Sequence, residues 1–131
     1  MTRSAEAIVA AGRALIGAPF RPQGRSAETG LDCLGLVAAA AGADLAKTRR
    51  DYRLRDFEPE AIGQALETLG FRRAEGPARP GDILILAPAP GRLHAAIVTP
   101  GGHLHADAGL RRVVEAPGAP PWPVLSAWRL S

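Results

Sequence analysis

Hydrophobic and polar positions divide the chain into two halves with different periods. In the first half, Ile8, Val9, Gly12, Leu15 and Ile16 recur on one helical face. Ser4 precedes them as an N-cap, and Gly17 and Pro19 mark the stop, so the pattern predicts a helix between them. Residues 17–31, GAPFRPQGRSAETGL, are dense in turn formers and predict an ordered, irregular loop. A second helix is expected to start at Asp32 or Cys33, run through Leu36, Val37 and a row of alanines, and stop at Gly42. The Arg-rich connection KTRRDYRLRDF reads as a solvated loop. Pro59 then opens a third helix, with Ile62, Leu66 and Leu69 inward and Gly70 as its stop.

After Gly70 the helical period gives way to short apolar pieces: Phe71 to Arg73, Asp82 to Leu86, His94 to Thr99, His103 to Ala106, Val113 to Glu115 and Leu125 to Leu130. Pro80-Gly81, Pro88 to Gly91, Pro100 to Gly102 and Pro117 to Pro123 separate them. Short strands joined by such turns predict an antiparallel meander. Helices first and sheet second is an α+β arrangement with the helices on one face. There is no internal repeat, low-complexity tract or linker, and residues 1–131 read as a single domain.

Composition narrows the classes without changing this outline. Hydrophobic residues make up 47% of the 131 and charged residues 22%, the balance of a chain with a true core. The net charge is +3, carried by arginine apart from Lys47. Six scattered aromatics build no base-stacking platform, so no specific nucleic-acid partner is expected. The Arg49–Arg55 stretch reads as solvated. The longest run without polar side chains, Leu34 to Ala43, is about half of what a membrane span needs. Arg3, Glu6 and Arg13 interrupt the N-terminal apolar residues, so no signal peptide is expected there.

The single cysteine excludes an internal disulfide. Cys33 falls where the loop becomes a helix, and unpaired N–H groups at a helix start lower a thiol pKa, so a reactive thiolate is one reading. The other is a small buried residue in a row of alanines. Asp32 is placed to cap the helix or to meet a cationic group. His94 and His105 lie in successive strand pieces joined by a tight turn, which sets such residues side by side as a base and its orienting partner. His103, nearest the turn, reads as a surface residue. Cys33, His94, His103 and His105 together also make a conceivable zinc set, but no close-spaced Cys pair or His-Glu-x-x-His helix accompanies them. Ser4, Ser26, Ser126 and Ser131 lack a nucleophile-elbow setting.

The strings GAPFRPQGR, GLDCLGLV, PGDILIL, LHAAIV and HLHA, in that order over residues 8–130, resemble the NlpC/P60 cysteine peptidases. The D-C-L-G-L string is similar to the phage-tail variety, also found in gene transfer agents. The resemblance implies a papain-like core, a helix-start cysteine packed against an antiparallel sheet bearing two histidines. It implies Cys33 as nucleophile, His94 as general base and acid, and His105 as the residue orienting His94. Asp32 and Phe20 are implied on the substrate side, Asp32 toward the free amine of a stem peptide. Phe20 stands where many members have tyrosine, and Leu34 where many have serine. Pro80-Gly81-Asp82 matches a structural turn.

The implied activity is hydrolysis of peptidoglycan stem peptides, at a γ-D-glutamyl bond to a diamino acid, without metal or other cofactor. The implied partners are peptidoglycan and the tail hub or baseplate of a phage-like particle. Such a protein is made in the bacterial cytoplasm, assembled into the tail and active in the periplasm or wall. The alternatives are a structural tail-tip or plug subunit that keeps the fold, and a non-peptidase acyltransferase.

Overall fold

The computed structural model describes residues 4–22, 24–26, 28, 30–43 and 59–130. The Arg-rich connection, with Lys47 and Arg49–Arg55, lies outside them. Helix α1 spans Ala5–Ala14, with the Ser4 hydroxyl accepting the Ala7 N–H at 3.1 Å. Its apolar stripe buries Ile8, Val9 and Gly12. The stripe ends sooner than the spacing predicts. The chain turns at Leu15, the C-cap, so Ile16 leaves the helical face and is 47% exposed.

Helix α2 spans Cys33–Ala40 and is buried almost all round, as its unbroken apolar sequence requires. Gly42, at φ 78°, follows its end. Helix α3 spans Pro59–Thr68, as the pattern predicts. Between α1 and α2 the loop is more regular than its composition suggests. Strands β1 (Arg25–Ser26) and β2 (Gly30–Leu31) form a small antiparallel ladder.

Six further strands follow: β3 (Phe71–Arg73), β4 (Ile83–Ala89), β5 (Arg92–Thr99), β6 (Gly102–Asp107), β7 (Arg112–Pro117) and β8 (Val124–Leu130). All pair antiparallel, in the order β3-β8-β4-β5-β6-β7. Strands β4 to β7 form the expected meander, but β8 does not continue it. The proline-rich segment after β7 carries the chain back across, and β8 inserts between β3 and β4 with Ile83 opposite Trp128. The sheet edge at β7 is partly covered by the loop after α1, through Gly17 N–H to Val113 O and Val113 N–H to Ala18 O, both 2.9 Å.

Helices α1 and α2 pack on each other and on β5, and α2 also reaches β6; α3 lies beside β3. The shared core includes Ile8, Leu36, Val37, Leu66, Phe71, Ile85, Ile97 and Leu104. Where α1 crosses the sheet the helix must be narrow: a Cβ on Gly12 would stand 2.8 Å from the Leu104 Cδ1 atom. The Pro80-Gly81-Asp82 turn is structural, as expected. Asp82 is 1% exposed, and Arg129 donates to both its carboxylate oxygens at 2.8 Å.

Candidate active site

The start of α2 is fixed by its own sequence. Asp32 has an extended backbone, its Oδ1 accepts the Gly35 N–H at 2.8 Å, and its carbonyl accepts the Leu36 N–H at 2.9 Å. Cys33 is therefore the first helical residue. Asp32 and Cys33 are each 1% exposed. The capping function foreseen for Asp32 is what its carboxylate performs here.

Of the two readings open for Cys33, the buried one describes its surroundings. Burial pushes the Cys33 thiol up to about 12, and the adjacent Asp32 charge adds to the rise. The N–H groups of Ala95, Leu34 and Cys33 itself pull the other way. Magnitudes explain the outcome: a helix terminus contributes roughly 0.3–1 kcal/mol, under one pK unit, whereas full burial moves a group by up to about 3–5 units. Position in the helix was legible from sequence, whereas depth was left open between two readings.

The Ala95 N–H points to the place where the sheet opens. Val98 donates its N–H to Asp82 O on the β4 side, so by alternation Ala95 directs its N–H toward β6. Yet the β5–β6 ladder runs only from Ile97↔Leu104 to Thr99↔Gly102, and Ala95 and His94 pair with β4 alone. Beyond Ile97 the two strands are linked by side chains. His94 Nε2 and His105 Nδ1 are hydrogen-bonded at 3.0 Å, with the rings edge to face at 88°. The structure thus brings His94 and His105 together, and sets Cys33 against Ala95, the residue after His94. Among the described residues no hydrogen bond joins the Cys33 sulfur to either imidazole.

Burial, then the neighbouring His105, brings the His94 pKa down to about 4, with Arg92 and His103 acting in the same direction and Asp107 opposing them. Burial and His103 likewise lower His105, again against Asp107. Both rings are neutral near pH 7, so their mutual hydrogen bond has one N–H donor and one lone-pair acceptor.

Phe20 is half-buried against the core, two-sided in its tethers: it bridges Leu31 and donates its N–H to Arg111 O at 2.9 Å. His103 is not the surface residue expected. It is 2% exposed, its Nδ1–H donates to Gly118 O at 2.9 Å, and its ring lies 5.3 Å from His105. The segment after β7 folds over it, which turn proximity alone did not reveal. For the zinc set, no group of three or more His, Cys, Asp or Glu side chains among the described residues is arranged to hold a metal ion.

Two neighbours of the histidine pair escaped the sequence reading. Trp122 stands edge to face with both rings, centroids 5.4 Å from His94 and 5.6 Å from His105. No spacing rule links a residue of the Pro-Pro-Trp-Pro segment to those strands. Asp107 Oδ2 lies 4.0 Å from His105 Nε2. Here a signal existed, because residues two apart on a strand share a face.

No protein-family model and no curated protein sequence matches the chain. Solved structures do. The NlpC/p60 domain of the peptidoglycan hydrolase SagA is 25% identical with a TM-score of 0.58, over 88% of this chain and 90% of that one. The P60 domain of an antigen from M. avium subspecies paratuberculosis is 20% identical with a TM-score of 0.64, over 96% and 93%. NlpC2 from Trichomonas vaginalis is 19% identical with a TM-score of 0.69, over 96% of this chain but only 46% of its own length. The chain has the α+β fold of the NlpC/P60 domains.

Proposed function

We propose that the protein is a cysteine peptidase that hydrolyses stem peptides of bacterial peptidoglycan. The observation that carries this reading is the 3.0 Å His94–His105 pair in the opening of the sheet, with the helix-start Cys33 held at Ala95 beside it. Similarity to a peptidoglycan hydrolase domain supports the substrate class. The resemblance to the NlpC/P60 peptidases favours a γ-D-glutamyl bond to a diamino acid, and the D-C-L-G-L string at residues 32–36 favours a setting in a phage-like tail docked through its hub or baseplate.

In this reading the thiol is neutral at rest, and His94 Nδ1 takes its proton as sulfur attacks the scissile carbonyl carbon. The C–S bond forms as the carbonyl π pair moves to oxygen, where N–H groups of the α2 start hold the charge. The carbonyl reforms, the C–N bond breaks, and His94 gives its proton to the leaving amine. Water then attacks the thioester with His94 as base, restoring the Cys33 thiol and releasing the acid. His105 orients His94, Phe20 lines the substrate side, and Asp32 holds the helix start at which both the substrate amine and the nucleophile are met.

The depth of Cys33, 1% exposed, favours one second reading: a structural tail-tip subunit that keeps the fold with little activity when isolated. Mass spectrometry of fragments released from purified peptidoglycan separates the two. The peptidase reading predicts fragments from wild type and none from Cys33→Ala. Walls left intact by wild type favour the structural subunit, and equal release by both proteins contradicts the thiol mechanism.

A further inference from the structure

The mechanism requires one tautomer of each histidine, and the His94–His105 bond alone does not select it. For His94 Nδ1 to accept the thiol proton, its own proton must sit on Nε2 and be donated to His105 Nδ1. His105 must then carry its proton on Nε2. The opposite arrangement, with His105 Nδ1–H donating to His94 Nε2, satisfies the same 3.0 Å contact. It leaves His94 protonated on Nδ1 and unable to act as a base.

Asp107 breaks this degeneracy. It follows His105 by two residues on β6, on the same face, and its Oδ2 lies 4.0 Å from His105 Nε2. That is longer than a direct hydrogen bond but close enough for a carboxylate to favour an N–H over a lone pair on the facing nitrogen. The carboxylate is itself held in place, because Oδ1 accepts the Leu110 N–H at 2.9 Å in the β6–β7 turn. The other charged or titratable groups about the pair are Arg92 on β5 and His103 on β6. Arg92 is a cation and offers no acceptor. His103 donates its Nδ1–H to Gly118 O, and among the described residues no hydrogen bond joins it to His105, whose ring lies tilted at 31° with centroids 5.3 Å apart.

We propose that Asp107 is a positioning residue, the outer member of a Cys33–His94–His105–Asp107 series, which fixes the proton of His105 on Nε2 and thereby leaves His94 Nδ1 free as the base. This assignment rests on the peptidase reading above for its purpose, but its geometry is independent of turnover.

Asp107→Asn is the discriminating variant. Its amide oxygen still accepts the Leu110 N–H, so the turn is kept, while its NH₂ replaces the oxygen that faces His105. The polarity at Nε2 is inverted with little change in shape. Ring 15N chemical shifts and long-range 15N–1H couplings read the tautomers directly, without substrate. Wild type is expected to show His105 and His94 both as Nε2–H tautomers, and Asp107→Asn to show both moved toward Nδ1–H. Stem-peptide cleavage by the variant is expected to lose about ten-fold or more in kcat with KM little changed. Asp107→Glu, which retains a carboxylate, is expected to recover the wild-type tautomers at least in part. An unchanged tautomer pattern in Asp107→Asn, or a wild-type His105 protonated on Nδ1, overturns the proposal. If wild type cleaves no stem peptide but the tautomers shift as described, the peptidase reading falls and the assignment to Asp107 stands.

Discussion

At the residue scale, the site is dominated by how far burial acts against charge. Cys33 has a helix-start position and three N–H groups that favour its thiolate, yet its pKa rises to about 12. A direct consequence is slow alkylation. In native protein, iodoacetamide labelling of Cys33 followed by mass spectrometry should show no rise between pH 7 and 9, where an ordinary thiol ionises; the unfolded chain should label fast over that range. His94 gives a second consequence. Its pKa in the fold is about 4 against an ordinary 6.5, so between those values the unfolded chain binds the proton more readily. Stability is therefore full above about pH 6.5 and falls as pH drops toward 4, by on the order of 3 kcal/mol from His94. His105 is shifted the same way and adds to the effect. Urea titrations at pH 7, 5.5 and 4 should show this loss in wild type and a weaker one in His94→Gln. The candidates Cys33, His94 and His105 could be named from the sequence because their types and order are distinctive, and the structure brings the two histidines together. The protonation states were not legible from sequence, because they depend on depth and on neighbours such as Trp122 that no local pattern connects to them.

At the element scale, the helices and strands follow closely from period and punctuation. Ser4, Pro59, Gly42 and Gly70 bound their helices where the sequence places them, since each acts within one turn of its own position. Turn residues likewise set the limits of β4 to β7 to within a few residues. Pairing was harder to read. The return of β8 between β3 and β4 is a pairing between segments distant in the chain, and nothing in the strand's own alternation distinguishes it from one more strand of the meander. The splaying of β5 from β6 is similarly a property of the pair, although it is what makes room for the histidines. Gly12 shows the packing that supports this region. Gly12→Val gains helix propensity but drives its side chain into Leu104 and Ile97, where the clearance is already 2.8 and 3.4 Å to an ideal Cβ. The expected result is a net loss of about 1–3 kcal/mol in a denaturant titration, because overpacking outweighs the propensity gain of well under 1 kcal/mol.

At the scale of the whole molecule, one sheet serves two layers with different purposes. Its helix side holds the continuous core that seats α2, and its other side carries Leu84, Leu86, Ala96, Val98 and Trp122 beside the histidine pair. The cysteine comes from the helical layer and the imidazoles from the sheet, so the site exists only when the layers are docked. No helix among the described residues is long and apolar enough to cross a membrane. The proposed chemistry passes through a covalent acyl-enzyme that can be trapped and weighed. A synthetic stem peptide is mixed with the protein, quenched in acid during turnover, and the intact protein is weighed by mass spectrometry. Wild type is expected to carry an adduct equal to the acyl half of the peptide, located on Cys33 and absent from Cys33→Ala, which releases no product. Cleavage that persists in Cys33→Ala would contradict this chemistry.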